Sequence, residues 1–204
     1  SPTMLFQNLV PSPALSIAQF SDIDSFRPVE FVADARSVPL NLVNFHTARA
    51  TVQLPCCQIT ALASFARIVD VSYRMAHGAL IFQLEDDHEV SANGMSVNGP
   101  AFIGMRGNVD IQFFEPPDRL CGFTPDRGAL AAVRSVATSI LRTASAEPHL
   151  MKEPGFALAL QESLLLAIDD MFRRSRTAEI SSRTASKSYC RLVRMVDEYV
   201  AYHA

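Results

Sequence analysis

At 204 residues, with 49% hydrophobic and 19% charged side chains, the chain has enough material for a sizeable core, which excludes global disorder. A formal charge of −3 excludes a protein that grips nucleic acid over its whole surface, because neutralising phosphates takes an excess of Lys and Arg. No apolar run approaches the ~20 residues that cross a bilayer, and Ser1–Val10 lacks the basic start and apolar centre of a secretion signal. The cysteines, Cys56, Cys57, Cys121 and Cys190, form no C-x-x-C pair, so a soluble cytoplasmic protein with inert thiols is expected.

From Ile17 to Phe123 the apolar residues tend to alternate and turn residues punctuate them, which predicts short antiparallel strands. Thr51–Leu54 and Ile59–Phe65 are the first candidates. Val69–Tyr73 alternates cleanly, with Val69, Val71 and Tyr73 on one side and Asp70, Ser72 and Arg74 on the other, toward water. Ala79–Leu84 is an apolar strand ended by Glu85-Asp86-Asp87. Within His88–Val97, Asn93-Gly94 is a two-residue hairpin signal, because both turn positions need positive φ. Asn98-Gly99-Pro100 marks a turn, Ala101–Met105 a strand, Arg106-Gly107-Asn108 another turn, and Val109–Phe114 a further strand. Glu115-Pro116-Pro117-Asp118 closes it, and Arg119–Phe123 is the last short strand. Strands so closely spaced predict an antiparallel β-sandwich or barrel over residues 1–124.

After Pro125 the spacing turns helical. Thr124 is expected to cap a helix, with Pro125 in its first position and Asp126 at the positive end of its dipole. The run Ala129–Leu141 follows, with Val133, Val136, Ile140 and Leu141 on one side. Glu147-Pro148 and Glu153-Pro154-Gly155 bracket a connection to a second helix, Phe156–Arg174. There Leu160, Leu164, Ile168 and Met171 form one stripe, and Leu158, Leu165, Leu166 and Phe172 widen the apolar surface. Arg173–Lys187 has the polar, Arg- and Ser-rich composition of a linker. Tyr189–His203 returns to helical spacing, with Leu192, Val196, Tyr199 and Val200 on one face. The fold class expected is α+β: a sandwich over 1–124, a helical segment over 125–175, a linker over 176–187 and a lone helix over 188–204.

The last stretch, Leu192-Val193-Arg194-Met195-Val196-Asp197-Glu198-Tyr199-Val200-Ala201-Tyr202-His203-Ala204, resembles the first helix of the DNA-binding domain of the AraC/XylS family of transcription regulators. In that family an apolar–Arg stretch leads to an acidic pair, a Tyr–aliphatic pair and a closing His. Upstream, the order of elements is similar to that of the family's sensor domains, and Ala79–Pro117 resembles the sandwich of members with a divergent sensor. The resemblance implies a cupin-like, jelly-roll sandwich that binds a small-molecule effector, a two-helix segment that forms a homodimer, and a DNA-binding domain truncated after its first helix. DNA would then be contacted only through the missing helix-turn-helix units. It also implies that the Leu160/Leu164/Ile168/Met171 face serves dimerisation.

The residues themselves point to no catalytic or metal site and no cofactor. His46, His77 and His88 are scattered, and the His-x-His of metal-binding cupins is missing. No Gly-x-Ser-x-Gly elbow occurs, and Asp86-Asp87 and Asp169-Asp170 fall in a turn and on a helix surface. A binding pocket remains, for which polar residues within strands are the candidates: Arg67, Asp70, Ser72, Arg74, Gln83 and Gln112. His46 and Arg74 are singled out as donors for an acidic or hydroxylated metabolite. The expected function is ligand sensing and dimerisation in a DNA-binding regulator, without enzyme activity. A small cupin-like metal-dependent enzyme and a ligand-free interaction module are the alternatives.

Overall fold

The structure, a computed structural model, describes residues 4–26, 34–39, 45–63, 67–82, 84, 90–92, 95–97, 102–115 and 126–174. In chain order these form α1 (Met4–Gln7), β1 (Ser16–Phe20), α2 (Ile23–Phe26), β2 (Asp34–Pro39), β3 (Thr47–Gln53) and β4 (Gln58–Leu62). β5 (Arg67–Phe82), β6 (Val90–Ala92), β7 (Met95–Val97), β8 (Phe102–Glu115), α3 (Arg127–Ala146) and α4 (Pro154–Arg174) complete them. The strands build two antiparallel sheets, one ordered β1-β3-β4 and the other β2-β5-β8-β6-β7. The described residues thus mix helix and strand, and they do not establish the expected sandwich or jelly roll. The expected strand Arg119–Phe123, the linker over 176–187 and the last helix over 188–204 lie outside them.

The helices cover the smaller sheet. On β3, Ala48, Ala50 and Val52 alternate into the core, and Ala61 of β4 joins them. α3 brings Leu130, Val133, Ala137, Ile140, Leu141 and Ala144 at helical spacing to the same core. Its start is set by Asp126, whose carboxylate accepts the Ala129 N–H at 2.9 Å, two residues later than the Thr124 cap expected from the sequence. Asp wins because it satisfies an orphan donor of the first turn as well as complementing the dipole. α4 begins at Pro154, where a missing N–H costs nothing. A 3₁₀ turn at Leu150–Lys152 folds it back onto α3 as a helical hairpin.

Two short helices that alternation did not reveal tie down the start of the chain. Leu5 and Leu9 enter the core beside Leu15, and Val10 and Ser145 exchange two hydrogen bonds of 2.8 and 2.9 Å. α2 is held by Asp22, which accepts the Ser25 N–H at 2.7 Å and the Ser25 hydroxyl at 2.9 Å; the backbone bond and then the side-chain bond lower its carboxyl below the usual range. α2 thereby seats the fully buried Phe26 edge-on to Phe20 at 5.4 Å, with Phe45 at 6.2 Å.

The larger sheet departs from expectation in its length of strand. The candidate Val69–Tyr73 and residues 79–82 of the candidate Ala79–Leu84 fall in a single strand, β5, and the turn expected at Arg106-Gly107-Asn108 lies inside β8. Met75 pairs with Gly107 and Ala79 with Met105, so four steps along β5 oppose two along β8. Ladder pairing thus overrides the local turn preference of Arg106-Gly107-Asn108. The β6–β7 hairpin does form, pairing Ala92 with Met95 on either side of Asn93-Gly94.

Candidate functional site

The register of the larger sheet decides which of its polar residues belong together. Directly opposed residues of an antiparallel ladder share a face, and the next pair along lies on the other. Across β2, β5 and β8 the rows are Asp34–Ser72–Asp110 and, two residues on, Arg36–Asp70–Gln112. On the other side of the first row β5 and β8 pair Arg74 with Asn108, and Arg106 follows two residues along β8. The opposite face carries Ala35–Val71–Ile111, Ser37–Val69–Phe113 and Tyr73–Val109, nearly all apolar. Arg74, Asp70, Ser72 and Gln112, four of the sequence candidates, therefore stand on one face. Asp34, Arg36, Asn108, Arg106 and Asp110 join them there. Sequence reasoning missed Asp34 and Arg36 because β2 was not recognised, and Arg106 and Asn108 because Arg106–Asn108 was taken as a turn; Asp110 lay in the expected strand Val109–Phe114 and was not singled out.

The polar band is bounded at both ends by apolar positions of the same face. Val38–Ile68–Phe114 closes one end; Leu80–Gly104 and Phe82–Phe102 follow beyond the irregularity at the other. Val38, Leu80 and Phe82 are half-buried, and Leu80 and Phe82 pack against the helical core. By register this face is apolar, then polar, then apolar again. His46 is exposed and lies just before β3 of the smaller sheet, whereas Arg74 lies on β5 of the larger one.

No protein-family model, curated protein or solved structure matches the chain.

α4 presents a second candidate surface. Leu164 and Met171 are 5% and 1% exposed, inside the core that α3 shares, and Leu160 and Ile168 pack against it half-buried. The Leu160/Leu164/Ile168/Met171 stripe is consumed within the chain because Leu130, Val133, Ile140 and Leu141 of α3 meet it. The exposed apolar side chains are instead Leu158 (42%), Leu165 (49%), Leu166 (68%) and Phe172 (45%). Leu158, Leu165 and Phe172 recur every seven residues, a step that returns to within ~20° on a straight helix, so they form one continuous outer seam. Acidic residues border it: Asp169 and Asp170 pair with Arg173 and Arg174 four residues on, the second at 2.9 Å, and these exposed pairs add little stability.

The adjacent cysteines sit at the tip of the β3–β4 hairpin. The Leu54 N–H donates to the Cys57 carbonyl at 2.8 Å, and the Gln53 amide donates to the Leu54 and Cys57 carbonyls at 2.8 and 3.1 Å. From α4 the buried Gln161 accepts the Cys56 N–H at 2.6 Å, fastening the hairpin to the helix. Cys56 is exposed; Cys57 is half-buried against the core, and burial, then its neighbour Cys56, raises its thiol above the usual range. That shift favours the protonated, unreactive form. Among the described residues no three His, Cys, Asp or Glu come together as a metal site requires, and no helix is long and apolar enough to cross a membrane.

Proposed function

We propose that the chain is the ligand-sensing and dimerisation region of an AraC-type transcription regulator. The observation that carries the reading is the double use of α4. One face completes the core with α3, and the other leaves Leu158, Leu165 and Leu166 exposed. Among the described residues the only other large apolar side chains so exposed are Phe172 and Val10. Such a patch costs solubility in a monomer and is natural between copies.

The seam is also nearly self-complementary. Leu158 and Phe172 lie seven residues to either side of Leu165. Two copies related by a twofold axis at Leu165, with helices antiparallel, would bring Leu158 of each beside Phe172 of the other. The order of elements agrees with the resemblance: a strand-rich part, a helical hairpin, then the Arg- and Ser-rich run that leads to the family-like stretch Leu192–Ala204.

The test is to read the gene past the codon for Ala204, express the longer product and measure retention of genomic DNA fragments. Two further helix-turn-helix units and selective retention, absent from the 204-residue chain, are the expected result. A longer product that retains no DNA, or a stop codon directly after Ala204, overturns the regulator reading.

A further inference from the structure

We propose that the adjacent thiols Cys56 and Cys57, at the tip of the β3–β4 hairpin, form a binding site for a trivalent, thiol-seeking metalloid, with arsenous acid its simplest member. The site stands apart from the regulator reading and holds whether or not the chain meets DNA.

The tip is ordered from both sides. Pro55 precedes the pair and fixes one backbone angle of the turn. The Cys57 carbonyl accepts the Leu54 N–H at 2.8 Å and the Gln53 amide at 3.1 Å. From α4 the buried Gln161 accepts the Cys56 N–H at 2.6 Å. The peptide that joins the two cysteines is therefore held at both ends, by the hairpin and by a helix far along the chain. A ligand that bridges the thiols meets a turn already in place, so little conformational freedom is lost on binding.

The thiols also differ in access. Cys56 is exposed, and Cys57 is half-buried, packed like Ile59 against the core. An incoming ligand reaches Cys56 first. Cys57 then closes the ring within the same molecule, at the high effective concentration of a tethered neighbour.

Bond lengths select the class of ligand. Neighbouring Cα atoms are ~3.8 Å apart across a trans peptide, inside the ~4.4 Å at which ordinary disulfides begin. A direct S–S bond is thus disfavoured, whereas an atom set between the sulfurs lets them stand further apart. Soft thiol ligands suit a trivalent metalloid: two fill two of its three bonds, and a hydroxyl keeps the third. In that step two As–O and two S–H bonds break, two As–S bonds form and two water molecules leave, with arsenic trivalent throughout. Each thiol proton departs on a leaving hydroxyl, so the raised Cys57 thiol is no obstacle. A divalent cation such as Zn²⁺ has to displace both protons against that shift. It also takes four ligands, and among the described residues no group of three His, Cys, Asp or Glu supplies them.

Arsenite and phenylarsine oxide, titrated into the reduced full chain, test the site. Intact mass should show one arsenic per chain, with two thiols withdrawn from later alkylation. A small dithiol should strip the arsenic off, and a monothiol should not. Cys56→Ser, at an exposed position, should weaken uptake at least about a hundredfold, because a second tethered contact contributes on the order of 10²–10⁴. Cys121→Ser combined with Cys190→Ser should leave uptake unchanged. Arsenite should raise the melting temperature of the parent and not of Cys56→Ser, as a ligand that prefers the folded chain does. Uptake indifferent to Cys56→Ser, no uptake at all, or arsenic mapped to Cys121 or Cys190 overturns the proposal. So does zinc bound in its place, or a melting temperature that arsenite lowers or leaves unmoved.

Discussion

Truncating the neighbours Leu164 and Leu165 to alanine should have opposite consequences, and the magnitudes follow from where α4 puts them. Leu164 is 5% exposed among α3 residues, so its loss removes buried apolar area and leaves a cavity, at about 2–5 kcal/mol of folding stability. Leu165 is 49% exposed in the isolated chain. Its truncation should change folding by no more than about 0.5 kcal/mol, as surface substitutions do. In a dimer the remaining half of the side chain would be covered, worth roughly 1 kcal/mol if a fully buried Leu is worth roughly 2. Both copies lose it, so the dimer should weaken by about 2 kcal/mol, or about 30-fold in Kd. Chemical unfolding at low concentration reads the first effect, and sedimentation equilibrium over a concentration series reads the second. A Leu165→Ala protein with a several-kcal/mol folding loss, or with an unchanged Kd, would refute the division of α4 into core face and contact face.

Phe26→Ala should destabilise the fold by about 3 kcal/mol, because it empties the site between Phe20 and Phe45; an unfolding midpoint within error of the parent would count against that cluster. Asp126→Ala should cost about 1 kcal/mol and fray the first turn of α3, visible as faster amide exchange at Ala129, while Asp126→Asn should restore most of it. At mildly alkaline pH iodoacetamide should alkylate Cys56 before Cys57, as mass spectrometry of timed samples would show. Because the fold raises Cys57, the unfolded chain loses that proton first as pH climbs. The protonated thiol's contribution is intact below the ordinary thiol range and is lost as pH rises through the raised value. Stability rising with alkaline pH in the parent but not in Cys57→Ala would contradict the burial of that thiol.

Elements with one strong periodicity were legible in the sequence. α3 and α4 were found within a few residues, and the Asn93-Gly94 hairpin was placed correctly, because helical spacing and paired positive-φ residues are local signals. What failed was non-local. Arg106-Gly107-Asn108 has the composition of a turn, and only pairing with a distant strand keeps it extended in β8. The same limit governs the sites. Alternation put Asp70, Ser72 and Arg74 on one side of a strand. That Asp34, Arg36 and Asp110 stand in the same rows is a matter of register between segments some forty residues apart. On α4 the sequence showed two apolar faces and could not rank them. The ranking came from the core shared with α3, which buries Leu164 and Met171 and leaves Leu165 half exposed.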